Sequence, residues 1–350
     1  MSRLPAISLS PAWNPLHIAF VGAHDQVDEF ETYLTLLVEG TEKLESDGMN
    51  LLSGLDLEKT NLLQQIWSSI STDRRAELSE TLVELADDNP ELEYESVFRL
   101  SLSDVDAQIR KASIKGLWDC EDRTIIAPII QLMRTDEEEE VRSVATQLVG
   151  KFALQGELGK LLPVDQDLVI NGLMESIYDP EETLEVRRRV VEALGPVSKS
   201  EVYDIIRDFY DDEDERLKGS ALYAMGLSGD ESWLDFIIDE MSNPSPLLRY
   251  ESAHAAAELG SEEVVPELAN LVEDVDSEVQ WMAVTALGTI GGGHAVEILR
   301  KLLNHQDASI KQVATESLEQ IETFSDPMKL MDRGPLFDDP DESVEEQSDS

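Results

Sequence analysis

The chain has 350 residues, of which 74 are Asp or Glu and 27 are Lys or Arg, for a formal net charge of −47. That balance excludes a nucleic-acid backbone or an anionic membrane face as the main partner, since both need a basic footprint. Hydrophobic residues make up 41% of the chain, enough for a large core, and a single cysteine, Cys120, excludes an internal disulfide and any cysteine-based metal cluster.

The first 25 residues have no period and are interrupted by Pro5, Pro11 and Pro15, so a mobile N-terminal segment (1–25) is expected. Their apolar run, Leu16 to Val21, is too short for a secretory core. No run approaches the roughly 18 to 20 apolar residues of a membrane span, and a soluble, cytoplasmic protein is the expectation. Residues 26–40, QVDEFETYLTLLVEG, suggest an amphipathic helix. Asp56 reads as the N-cap of LEKTNLLQQIWSSI, Thr72 or Asp73 as the cap of DRRAELSETLVELAD, and Leu92 to Leu102 as a further helix. Residues 26–102 together read as the helical N-terminal cap of a repeat array.

From residue 103 one pattern recurs: an aliphatic residue, usually a basic residue, then small residues four and seven positions after the first. It is anchored at Ile109-Arg110, Val141-Arg142, Val186-Arg187, Leu217-Lys218, Leu248-Arg249, Val279-Gln280 and Ile310-Lys311. The successive steps are 32, 45, 31, 31, 31 and 31 residues, so the long one is a period plus an insertion of 14. A fixed period of this size means stacked supersecondary units. Each unit reads as two helices. In VQWMAVTALGTIG, Val279, Ala283, Ala286 and Leu287 share one face, and Gly288 and Gly291 mark the end; in HAVEILRKLL, Ala295, Leu299 and Leu302 share another. Acids precede the anchors: Asp104 and Asp106, Asp136, Asp212 and Asp214, Asp274 and Asp276, and Asp307. They stand where helix caps and first-turn carboxylates are favoured. The basic residue just inside each helix is expected to pair with an acid of a neighbouring unit, giving a ladder along the stack. Beyond the repeats (103–324), residues 331–350 hold eight acids against Arg333, and an acidic disordered tail (325–350) is expected.

The stretches VRRRVVEALG (186–195), LRYESAHAAAELG (248–260) and VQWMAVTALGTIG (279–291) resemble HEAT repeats, and the 31-residue period resembles the phycobilisome-lyase-type subgroup. The resemblance implies an all-α fold, a right-handed α-α superhelix or HEAT-like solenoid, with the anchored helices lining its concave side. It specifies little about function.

Chemistry is sparse. The histidines, His17, His24, His254, His294 and His305, show no metal-ligand spacing. Deoxyhypusine hydroxylase-like HEAT proteins carry His-Glu pairs in the two positions after the basic anchor, and these hold two irons. Here those positions read Lys111-Ala112, Ser143-Val144, Arg188-Arg189, Gly219-Ser220, Tyr250-Glu251, Trp281-Met282 and Gln312-Val313, and only Glu251 survives of any such pair. No catalytic residue, metal or cofactor is therefore expected, and Cys120, with no nearby histidine, reads as half-buried packing. Positions 2, 3 and 6 after each anchor face away from the core. They place Tyr223, Tyr250, His254 and Trp281 in the groove, preceded by Arg188 and Arg189, with Lys111 and Lys115 in the first unit. Aromatics and arginines are the residue types that anchor interfaces. The leading expectation is a non-enzymatic scaffold that holds a protein partner through Arg188, Arg189, Tyr223, Tyr250, His254 and Trp281. The alternative is a bilin lyase-like chaperone delivering a tetrapyrrole to a client protein, and the third is a metal-dependent HEAT-repeat enzyme.

Overall fold

A computed structural model of the protein describes residues 29–40, 44 and 46–325. The expected N-terminal segment, and residues 326–350 of the expected tail, lie outside the described residues. Among those described there are eighteen α-helices and no strand, as an all-α repeat array requires. None of these helices is long and apolar enough to cross a membrane. The chain divides into two compact units, Met1–Val190 and Val191–Ser350.

In the first unit the helices are α1 (Glu29–Glu39), α2 (Ser46–Asn50), α3 (Leu57–Trp67), α4 (Thr72–Asp88), α5 (Glu95–Ser101), α6 (Ala107–Gly116), α7 (Ile126–Thr135), α8 (Glu139–Glu157) and α9 (Pro163–Ile177). The division falls within α10 (Leu184–Leu194). Asp56 caps α3 as expected, accepting the Lys59 amide at 2.8 Å. Neither Thr72 nor Asp73 caps α4. Both already lie inside it, because its first turn closes on the Ser71 carbonyl, which accepts the Arg75 amide. Arg75 and Asp104 form a buried ion pair at 2.8 Å, and the Trp67 indole donates to the same carboxylate at 2.6 Å. Burial alone would raise the Asp104 carboxyl, but the bonds from Arg75, the Asp106 amide and Trp67 outweigh it and hold the group below the usual carboxylate range. Cys120 is buried rather than half-buried, and burial pushes its thiol up, away from the reactive thiolate.

The second unit contains α11 (Ser200–Tyr210), α12 (Glu215–Leu227), α13 (Leu234–Glu240), α14 (Pro246–Leu259), α15 (Val265–Leu271), α16 (Ser277–Ile290), α17 (Gly292–Leu302) and α18 (Ala308–Ser325). The anchored helices α12, α14, α16 and α18 pack each on the next, and Leu217, Leu248, Val279 and Ile310 are all buried. Glycine sets how closely they approach. A Cβ on Gly226 would lie 2.7 Å from the Ala255 backbone, and one on Gly288 would lie 2.6 Å from the Ser317 side chain. Gly288 is thus a packing residue within α16, not the end marker expected of it. Gly291, at φ +67°, ends the helix.

The expected ladder is present in both units. Arg110 clamps Asp136 through two bonds of 2.7 Å, and Arg249 clamps Asp274 in the same way. Arg142 meets Glu182 at 3.0 Å and Lys218 meets Glu240 at 2.6 Å. Each of the three arginines also donates to carbonyls six and five positions earlier: Asp104 and Val105, Asp136 and Glu137, Asn243 and Pro244. One side chain therefore ties the entry of its own helix to the next unit. The paired aspartates divide the remaining work. Asp274 accepts from Arg249 and from the Asp276 amide, while Asp276 caps α16 by accepting the Glu278 amide.

Candidate functional site

The packed faces of α12, α14 and α16 are built from small residues, among them Ala221, Ala224, Ala253, Ala256, Ala283 and Ala286, each less than 1% exposed. With the small residues turned inward, the large polar and aromatic residues of the same helices fall on the other face. On α14 this face carries Tyr250, Glu251, His254 and Glu258; on α12 it carries Tyr223. Gly219 of α12 leaves room for Glu251, since a Cβ there would come within 3.3 Å of the Glu251 side chain.

His254 is the centre of the group. Its ring lies 5.0 Å from that of Tyr223 and 6.3 Å from that of Tyr250, centroid to centroid. Its Nδ1 is 3.8 Å from the Glu251 carboxylate and its Nε2 is 3.8 Å from that of Glu258, ion-pair rather than hydrogen-bond distances. The Glu251 carboxylate, with Glu258 and Glu192 adding their charge, raises the His254 pKa above its ordinary value against the opposing effect of burial. Ser220 of α12 donates to Glu192, at the end of α10, at 2.7 Å and fixes that carboxylate. The result is an imidazole between two carboxylates, with two phenols against it.

Of the candidate residues read from the sequence, the structure brings Tyr223, Tyr250 and His254 together. Trp281 stands on α16, 42% exposed, with no ring contact among the described residues. Arg188 and Arg189 belong to the first unit, where both turn to Glu185 of their own helix, at 2.9 and 3.1 Å. The two guanidinium groups share that one carboxylate, so both are drawn to their own helix. Lys111 likewise pairs with Glu140. Glu258 and the Ser220–Glu192 bond were not among the candidates. The spacing of Glu251 and Glu258, three before and four after His254, is a helix-face signal that was available. The Ser220–Glu192 bond crosses between helices and leaves no local signal.

A model of HEAT repeats matches residues 234–319, which carry HEAT repeats. Two curated fungal proteins named deoxyhypusine hydroxylase are similar to parts of the chain. The Neurospora crassa protein is 30% identical over 110 residues, 30% of this chain and 34% of the relative. The Cryptococcus neoformans protein is 27% identical over 122 residues, 33% of this chain and 34% of the relative. The chain thus spans about a third of the length of the curated relatives it matches. Among solved structures, human deoxyhypusine hydroxylase in complex with glycerol aligns at TM-score 0.34 and 17% identity, covering 76% of this chain and 96% of that one. The expectation of a non-enzymatic scaffold is corrected by the two fungal relatives, whose names are those of enzymes.

The irons of the hydroxylase-like repeats do not fit the residues present. In the second unit the paired positions hold Gly219-Ser220, Tyr250-Glu251, Trp281-Met282 and Gln312-Val313, a single carboxylate where four pairs would stand. No group of three or more His, Cys, Asp or Glu among the described residues is arranged to hold a metal ion.

Proposed function

We propose that this HEAT-repeat protein is an enzyme acting on an amine-bearing side chain of a polypeptide, and that the ammonium group is received beside His254, at the Glu251 and Glu258 carboxylates on α14. The observation that carries the substrate class is the His254 group itself. Carboxylates attract the ammonium, and the faces of Tyr223 and Tyr250 suit its charge and its aliphatic stem. His254, which faces both carboxylates, is the group there placed to exchange a proton with a bound nitrogen. The enzymatic half of the reading is supported by the fungal relatives, whose name makes deoxyhypusine, itself an amine, their substrate. No iron-dependent step is part of the proposal, because the donor set does not fit one.

The test uses two peptides that differ only in carrying lysine or norleucine at one position, titrated calorimetrically in 0.5 M salt. The lysine peptide is expected to bind at least about tenfold more tightly, and the Glu251→Gln/Glu258→Gln variant to lose that preference. After incubation with a small-molecule cell extract, mass spectrometry is expected to find the lysine peptide altered by the wild type and unaltered by His254→Gln. Equal binding of the two peptides rejects the substrate class. A bound peptide of unchanged mass rejects the enzymatic half.

A further inference from the structure

A concavity lies in the first unit. It is about 810 Å³ in volume and open on one side, bounded by the C-terminal end of α4, by α5 and by the end of α6. That size suits a small organic ligand. Its accessible aromatic surface is Trp118, with Tyr94 and Phe98 buried behind the wall. Tyr94 and Phe98 meet edge to face at 6.5 Å, and Trp118 is 47% exposed. The wall depends on one glycine, since a Cβ on Gly116 would lie 2.3 Å from the Phe98 ring. The Tyr94 hydroxyl is buried and has no hydrogen-bond partner.

Three features give the concavity a sign. Asp87, Glu93 and Glu121 line it, and none has an ion-pair partner among the described residues, while Lys115 is the lone cation of the lining. The C-terminal ends of α4 and α6 border this region, where α4 has no basic residue in its last turn and α6 has Lys115. Trp118 already carries an ammonium: the Lys151 Nζ sits 5.5 Å from its ring centroid and 3.7 Å from the adjacent Asp119 carboxylate. Indole beside carboxylate is thus shown holding a positive nitrogen at the rim of the cavity.

We propose that this cavity binds a small hydrophobic organic cation, with its apolar body on Trp118 and its positive nitrogen among Asp87, Glu93 and Glu121. The site is independent of the His254 group. Carboxylates exclude anions of the same shape, and the Trp118 ring distinguishes an arylalkyl ammonium from a metal ion or a bare amine.

Benzyltrimethylammonium is the probe, titrated calorimetrically into the full chain in 0.5 M salt, where the general attraction of an acidic protein is screened. Saturable one-site binding is expected, with none for benzenesulfonate. Trp118→Ala is expected to weaken it about tenfold, through loss of the ring face. Asp87→Asn/Glu121→Gln is expected to act similarly, while Glu77→Gln/Glu80→Gln, which removes the same charge from the outer face of α4, leaves it unchanged. Circular dichroism of each variant confirms that it is folded. An absence of saturable binding overturns the proposal, and so does an equal loss in the Glu77/Glu80 control. Glu251→Gln is expected to leave this binding unchanged, so its outcome is separate from that of the amine-substrate reading.

Discussion

The second unit repeats every 31 residues, and glycine at Gly226 and Gly288 lets its helices touch with almost no side chain between them. The first unit carries the 14-residue insertion, and there α8 grows to 19 residues and α9 to 15. The lengthened corner leaves Leu154, Leu158, Leu162, Val164 and Leu168 exposed, whereas the second unit exposes few large apolar side chains. The arginine clamp persists across the insertion, Arg142 on Glu182, as it does in the regular repeats, Arg249 on Asp274. The difference teaches that the clamp tolerates a change of period and the apolar contact does not. A clamp needs one carboxylate within reach, while a packed face needs a whole matching surface.

The largest effect is expected at the place where the first unit departs most from the ladder, the buried Arg75–Asp104–Trp67 group. Asp104→Ala leaves an uncompensated guanidinium in the interior and is expected to cost about 3 to 5 kcal/mol, measured by urea unfolding. Asp274→Ala in the second unit frees Arg249, which like Arg75 keeps bonds to backbone carbonyls but lies closer to solvent, and is expected to cost about 1 to 2 kcal/mol. Equal losses would break the distinction between the two pairs.

Next comes the glycine contact. Gly226→Val forces α12 away from α14 and is expected to cost about 3 kcal/mol in thermal or urea unfolding. Gly159→Ala in the first unit has φ +70° but nothing within 4 Å, so it carries only the backbone penalty of about 1 kcal/mol. If the order were reversed, close approach would not be what stabilises the regular repeats.

Smaller still is the exposed corner. Leu158→Ala, just past the end of α8, is expected to change stability by less than about 0.5 kcal/mol, whereas Leu148→Ala on the buried face of α8 is expected to cost about 3 kcal/mol. A large loss at Leu158 would mean that the insertion is packed and not merely tolerated.

The smallest effect concerns pH. The folded-state pKa of His254 is raised above 6.5 by Glu251, Glu258 and Glu192, with the Tyr223 and Tyr250 rings as its other neighbours. Protonation therefore favours the fold. This contribution is fully present below about pH 6.5 and is lost as pH rises through the higher folded value. The melting temperature of wild type relative to His254→Gln is expected to fall between pH 6 and pH 9. A flat difference would remove the carboxylates from the account.

Local and periodic features were legible beforehand. The seven anchors, the Asp106, Asp214 and Asp276 caps and the existence of the ladder follow from spacings within one helix or one period. So did the HEAT-type units, for the same reason: the 31-residue step counts helices. The site was legible only in part. Tyr223, Tyr250 and His254 could be assigned to one face, but the fate of Arg188 and Arg189 depended on Glu185 competing for them, and the non-enzymatic reading did not survive the likeness to named enzymes.

What the sequence by itself determined is what repeats: helix, cap, anchor and the sign of the charge at each step. What only the tertiary structure decided are the contacts between residues of different helices. Arg75 meets Asp104 across 29 positions, Arg142 meets Glu182 across 40, and Gly288 meets Ser317 instead of ending its helix. A period predicts that neighbouring units touch. Which atoms meet depends on helix length and on the room that a glycine or an insertion leaves between them, and those follow from packing the whole surface at once.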